Sequence, residues 1–213
     1  MMKSVQSTTR LVVAAFRALL VLTVVTGVLY PLAITGVAQG AFHDKANGSM
    51  IKVDGKEVGS ELIGQTYNLP AKEGEDPKPD PRFFQGRPSN SGYDPLATGS
   101  SQLGTSDAKL VKMVGDAKKQ VAAFNTVPGH YEVEQADVPK DAVTGSASAI
   151  DPHISKKYAE IQVERVAKHN GLTAAQVAKL VKDNTEGRTF GFLGEPHVNV
   201  LKLNIAVQKL AKG

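Results

Sequence analysis

Between Ala18 and Phe42 the chain carries no charged residue: ALLVLTVVTGVLYPLAITGVAQGAF. No other run in its 213 residues stays apolar for so long. Coiled as an α-helix at about 1.5 Å per residue, it would reach roughly 37 Å. The hydrocarbon core of a bilayer takes about 20 apolar residues. The run therefore predicts one membrane-crossing helix over residues 18–38. Two other readings fit less well. A cleaved signal peptide would use Ala38-Gln39-Gly40 at the cut, but its apolar stretch runs to only about 7–15 residues. A soluble helix would show a polar face, and this run has none.

Charge sets the direction of the span. Lys3, Arg10 and Arg17 precede it, and the first acidic residue is Asp44. Positive flanks stay inside. Residues 1–17 are thus predicted to be a short cytoplasmic terminus and 39–213 one extracytoplasmic domain. A lone helix cannot line a pore, but it can pack against others. Thr23 and Gly27, and again Gly36 and Gly40, place small residues one turn apart, where a neighbouring backbone can approach. Pro31 is expected to kink the helix.

Without Lys3, Arg10 and Arg17, 22 of the 25 basic residues remain against 21 acidic ones. So balanced a domain lacks the basic face of a nucleic-acid binder. There is no cysteine, which excludes disulfides and thiolate-held metals.

The domain reads as α+β. Asp54-Gly55 between short alternating runs predicts a two-residue hairpin within Met50–Val58. Residues 70–81, PAKEGEDPKPDP, form an exposed, flexible loop. Phe83 and Phe84 beside Arg82 and Arg87 are expected to anchor irregular chain to the core. A helix over 107–124 follows, capped by Ser106 or Asp107, with Leu110, Val114, Ala117 and Val121 as its apolar stripe. Its lysines form a solvated face. A second helix, 156–169, starts at Ser155 and ends at Asn170-Gly171. A third, 174–184, carries the capping-box pair Thr173 and Gln176. The end, 195–210, fits a short strand at 197–200 followed by a helix, with Val200, Leu203, Asn204 and Val207 on one face.

Chemistry is harder to find. The chain has no phosphate-binding Gly-x-x-x-x-Gly-Lys-Ser/Thr loop, no dinucleotide Gly-x-Gly-x-x-Gly and no Gly-x-Ser-x-Gly elbow. His43, His130, His153, His169 and His197 do not pair at a helical metal spacing. No metal or cofactor site is expected from intrinsic motifs. The stretch VTGSASAIDPHIS, 143–155, does hold Ser146, Ser148, Asp151 and His153. Triad partners generally come from separate segments, because their side chains must point at one another. The bland reading is a turn capped by Asp151, Pro152 at a first helical position, His153 in that first turn, and Ser155 capping the next helix. The rival is a membrane-anchored extracytoplasmic hydrolase or binding module using Ser146 or Ser148 with His153.

Several stretches, in order, resemble one family. They are Gly27–Gly36 with Tyr30-Pro31-Leu32, Ala46-Asn47-Gly48-Ser49, Leu62-Ile63-Gly64-Gln65, Phe84 and Arg87-Pro88-Ser89. Thr144–Ser148, Asp151–Ser155, Arg165-Val166-Ala167, Leu193–Pro196, Val198-Asn199-Val200-Leu201 and Leu203-Asn204 follow. Together they resemble the C subunit of the Kdp potassium-transporting ATPase, a P-type pump of the bacterial cytoplasmic membrane. The resemblance implies a single-span accessory subunit that is not itself catalytic and is needed for assembly. Its partners would be a potassium-channel-like subunit, a P-type ATPase motor subunit and the lipid bilayer. ATP and potassium would be handled by the complex. The family's C subunit is also proposed to be a catalytic chaperone that raises the motor's ATP affinity. The chain lacks the Asp-Lys-Thr-Gly-Thr phosphorylation sequence of the motor. Residues of the matching stretches that could meet a partner are Tyr30, Pro31, Gly64, Gln65, Arg87, Pro88, Ser89, Ser146, Ser148, Asp151, His153, Asn199 and Asn204.

Overall fold

Helix α1 (Met2–Val24) and helix α2 (Tyr30–Ala41) are joined by a π-helical turn over Val25–Leu29. The computed structural model describes residues 2–72 and 74–213, with side chains from Thr8 onward; the Lys3 side chain and Glu73 of the 70–81 loop lie outside the described residues. Thr8–Ala41 is long and apolar enough to cross a membrane, with a mean hydropathy of 2.3 over its most apolar window. Among the described residues it is the one helix that meets this test.

The π turn sits directly before Pro31 for a physical reason. Proline has no N–H to give and its ring crowds the carbonyl one turn back. A wider turn absorbs that conflict: the Tyr30 N–H reaches the carbonyl of Val25, five residues back. Thr26 Oγ1 donates to the Leu22 carbonyl at 2.7 Å. The expected disturbance at Pro31 thus takes the form of a local widening. A short helix, α3 (His43–Ala46), ends at Asn47, whose side chain exchanges hydrogen bonds with Gln39.

Met1–Met50 forms one compact unit and Ile51–Gly213 another. Strands β1 (Met50–Val53) and β2 (Lys56–Ser60) make the expected hairpin. Asp54 and Gly55 both have positive φ, 52° and 77°. That is the turn whose twist matches paired strands.

In the second unit the helices α4 (Ala108–Asn125), α5 (Lys156–Asn170), α6 (Ala174–Asp183) and α7 (Val200–Lys212) enclose the core. Each begins on a side-chain cap. Asp107 accepts from the Lys109 N–H, Ser155 from Tyr158, and Asn199 from Lys202. Thr173 and Gln176 form the reciprocal capping box. Gly171, at φ 67°, ends α5 in the left-handed conformation that glycine adopts freely. Strands β3 (His153–Ser155), β4 (Thr185–Glu186) and β5 (His197–Asn199) form an antiparallel sheet in the order β3-β5-β4. The core gathers Phe84, Ile154, Val166, Val177, Val198, Leu203 and Val207. A fully buried side chain of this size contributes about 1.5–3 kcal/mol. The whole is a transmembrane helix followed by a mixed α+β domain.

Between β2 and α4 lies a long segment without regular structure. Its backbone polar groups still need partners. Side chains from the helices supply them. Gln162 of α5 accepts from the Gln85 N–H at 2.7 Å and donates to its carbonyl at 3.2 Å. Asn204 of α7 does the same for Phe84, at 2.8 and 3.0 Å. Asn170 donates to the Arg82 carbonyl.

Arg165 is buried at 1% exposure, and its guanidinium donates to the carbonyls of Pro81 and Phe83, to Asn125 and to Gln162. It also lies over the Phe124 ring at 4.3 Å. Burial holds its pKa down at about 10, against the charges of Tyr158 and Asp80.

Candidate functional site

Two irregular segments, 84–93 and 144–152, meet at Arg87. Its guanidinium donates to Asp151 Oδ2 at 3.1 Å and to the carbonyls of Thr144 and Gly145. Both partners of the ion pair are less than one-third exposed, at 25% and 29% of their side-chain surface. Asp151 turns back on its own chain. Its Oδ1 accepts from the His153 N–H at 3.0 Å and stands 3.2 Å from His153 Nδ1. Burial pushes the Asp151 carboxyl upward, but the bonds from His153 and the charges of His153 and Arg87 outweigh it, so the net pKa is lowered.

Ser89 also ties the two segments together. Ser89 Oγ donates to the Ala149 carbonyl at 2.7 Å and accepts from the Tyr93 N–H. The Tyr93 hydroxyl donates to the Arg87 carbonyl. Burial first, then the Asp151 charge, pushes that phenol up to about 12, with Arg87 opposing. Gly64 lies against the Tyr93 ring and the Asp151 carbonyl with no room for a methyl group. Its N–H donates to the Ile150 carbonyl at 2.8 Å. A Cβ on Gly145 would stand 3.0 Å from the Pro88 carbonyl oxygen. Gln65 donates to the Val58 carbonyl, and Asn199 to the Glu61 carbonyl. Asn204 grips Phe84. An open cleft of about 340 Å³ borders Arg87, lined also by Gln85, Pro88, Phe124 and Tyr158.

Ser146 and Ser148 lie 3.3 Å from each other, and Ser148 accepts from the Ile150 N–H. Among the described residues no hydrogen bond joins either serine to His153. The His153 ring instead meets the His197 ring edge-on, with centroids 4.5 Å apart. Among the described residues no group of three histidine, aspartate or glutamate side chains could hold a metal ion.

One expectation is corrected here. Pro152 does not open a helix, and His153 does not lie in a first helical turn. His153–Ser155 is strand β3, paired with β5 in the register His153↔Asn199. Asp151 does cap a turn, and Ser155 does cap α5. Ser155 in turn donates to Asp141 through both its N–H and its hydroxyl.

Gln162 and Asn125 are structural residues that the sequence reading passed over. The available signal was a glutamine and an arginine set in the buried stripe of α5, at Gln162 and Arg165 beside Tyr158, Ile161 and Val166. In the membrane helix Tyr30 is exposed, and among the described residues no atom beyond the helix's own backbone lies within 4 Å of where a Cβ would stand on Gly27, Gly36 or Gly40.

With this geometry in place, comparison with known proteins decides the family. The family model described as "K+-transporting ATPase, c chain", or KdpC, matches residues 12–209. The chain belongs to the KdpC family. A potassium-transporting ATPase KdpC subunit of Streptomyces avermitilis is 54% identical over 219 residues, covering 99% of this chain and 98% of its own. That of Streptomyces coelicolor is 55% identical over 216 residues, covering 97% and 96%. The KdpC subunit of Mycobacterium tuberculosis is 40% identical over 203 residues, covering 94% and 99%. The chain is accordingly a subunit of a potassium-transporting ATPase, and the segments that meet at Arg87 lie within the matched range.

Proposed function

We propose that the chain is a non-catalytic accessory subunit that helps to assemble and stabilise its potassium-transporting complex. Its partners would be the potassium-conducting subunit and the P-type motor. It would be held in the bacterial cytoplasmic membrane by α1 and α2, with its N-terminus in the cytoplasm. The observation that carries the reading is internal. The matching polar residues Arg87, Asp151, Asn199 and Asn204 are engaged in holding irregular backbone in place. Such residues build a rigid surface rather than a reactive centre. Arg10 and Arg17 on the N-terminal side support the orientation.

This placement puts the α+β domain outside the cytoplasm, away from ATP. Direct nucleotide binding by this chain is therefore disfavoured, and a chaperone effect on the motor would act through the assembled complex. The chain has no cysteine, so Leu96→Cys, at an almost fully exposed site, gives a single reactive thiol. A membrane-impermeant maleimide should label it in intact spheroplasts. Labelling confined to inverted vesicles would reverse the orientation. Co-purification with the two multi-span subunits, and failure of growth at limiting potassium when the chain is deleted, test the assembly role.

A further inference from the structure

The segment 187–194, GRTFGFLG, projects a tight apolar tip. Thr189 and Leu193 close it by a backbone bridge. Phe190 is 85% exposed, Phe192 69% and Leu193 51%. Two aromatic rings in water on one short loop form a patch that soluble surfaces rarely carry without a use. The backbone adds a second observation. Phe190 stands at φ 54°, in the left-handed region, followed by Gly191 at 82°. A bulky residue there is strained, and such strain clusters at functional positions. The loop holds an unfavourable conformation while leaving the ring in solvent.

Charge distinguishes the occupant. The tip, 189–194, has no charged residue, and its stem has Arg188 against Glu186 and Glu195. Arg188 is bound to Glu195 at 2.8 Å. A lipid-inserting loop is flanked by unpaired cations that meet anionic head groups. This one presents a neutral apolar knob on a stem whose charges are paired, Arg188 with Glu195 and Glu186 with Lys202. Aromatic side chains of this kind act as anchors in protein pockets.

We propose that Phe190 and Phe192 form a docking knob that fills an apolar pocket on the extracytoplasmic face of another subunit of the same complex. This rests on the subunit role and orientation given above. The full chain should be co-expressed with its partner subunits and recovered by a tag on the chain. Phe190→Ser with Phe192→Ser should lower recovery of the multi-span subunits at least tenfold, while Phe190→Leu with Phe192→Leu retains most of it. Phe190→Asn should also weaken recovery, yet keep or raise thermal stability, because asparagine accepts the left-handed conformation.

A photocrosslinker at position 192 should form an adduct with a multi-span subunit. An adduct only with lipid would overturn the proposal in favour of membrane insertion. Unchanged recovery of the serine variant, with no protein adduct, would overturn it while leaving the subunit role intact. Failure of the wild-type chain to co-purify would overturn both.

Discussion

Asn204 and Phe84 are 120 residues apart and share two hydrogen bonds: the Phe84 N–H donates to Asn204 Oδ1 at 2.8 Å, and Asn204 Nδ2 donates to the Phe84 carbonyl at 3.0 Å. Both residues are buried. The side-chain amide thus stands in for a neighbouring β-strand, and Gln162 repeats the device at the next residue.

Asn204→Leu should therefore cost more than its volume suggests. It strands a buried N–H and a buried carbonyl at once. Each unsatisfied group costs about 1–3 kcal/mol. A loss of roughly 2–6 kcal/mol is expected, read as a lower urea midpoint with an unchanged slope in the detergent-solubilised chain.

The Arg87–Asp151 pair should behave as one unit. Removing Arg87 alone leaves Asp151 and two carbonyls without their donor. Arg87→Met and Asp151→Asn should each destabilise by about 1–3 kcal/mol. The double variant should lose less than the sum. His153→Ala should cost less than either, since Asp151 keeps both Arg87 and the backbone N–H at position 153.

Gly64→Ala should destabilise by roughly 1–3 kcal/mol, because the new methyl has no space beside Tyr93 and the Asp151 carbonyl. In a Tyr93→Ala background the same change should cost less. A thermal-unfolding double-mutant cycle measures the difference. Equal costs in both backgrounds would show that the Tyr93 ring is not what the methyl meets.

Acid should weaken the domain through Asp80 and Asp151. The side-chain hydrogen bond from Arg82 is the largest influence on Asp80, and it holds that carboxyl below its ordinary value against the opposing effect of burial. Asp151 is lowered as described. A carboxylate with a depressed folded pKa binds its proton more readily when unfolded. Its contribution is full above the unfolded value of about 3.9 and is lost as pH falls through the folded one. Stability should thus drop as pH is taken below about 4, and Asp80→Asn should flatten that drop in an acid titration of the unfolding midpoint.

Legibility in the sequence followed distance along the chain. The membrane helix, the Asp54-Gly55 hairpin, the Ser155 cap and the Thr173–Gln176 box depend on residues within a few positions of one another, and local pattern revealed them. Strand β3 has only three residues, and its partner β5 lies more than 40 residues further on. A piece so short shows no period, so Asp151-Pro152 read as a helix start. The roles of Gln162, Arg165 and Asn204 depend on backbone groups 77 to 120 residues away. Their helix faces were readable; what they hold was not. The family stretches pointed to Arg87 and Asp151, but only the fold shows that the two side chains meet.

The amide clamps also impose an order of events. Segment 80–89 is synthesised well before α5 and α7, yet its backbone partners lie on those helices. It cannot settle until the last helix has emerged and docked. Until then the early half must wait, solvated and open to proteases, for the late half. Closing loops of that length slows folding. The final residues of the chain are in this sense the latch for its middle, and a truncation within α7 should release segment 80–89 rather than merely shorten the protein.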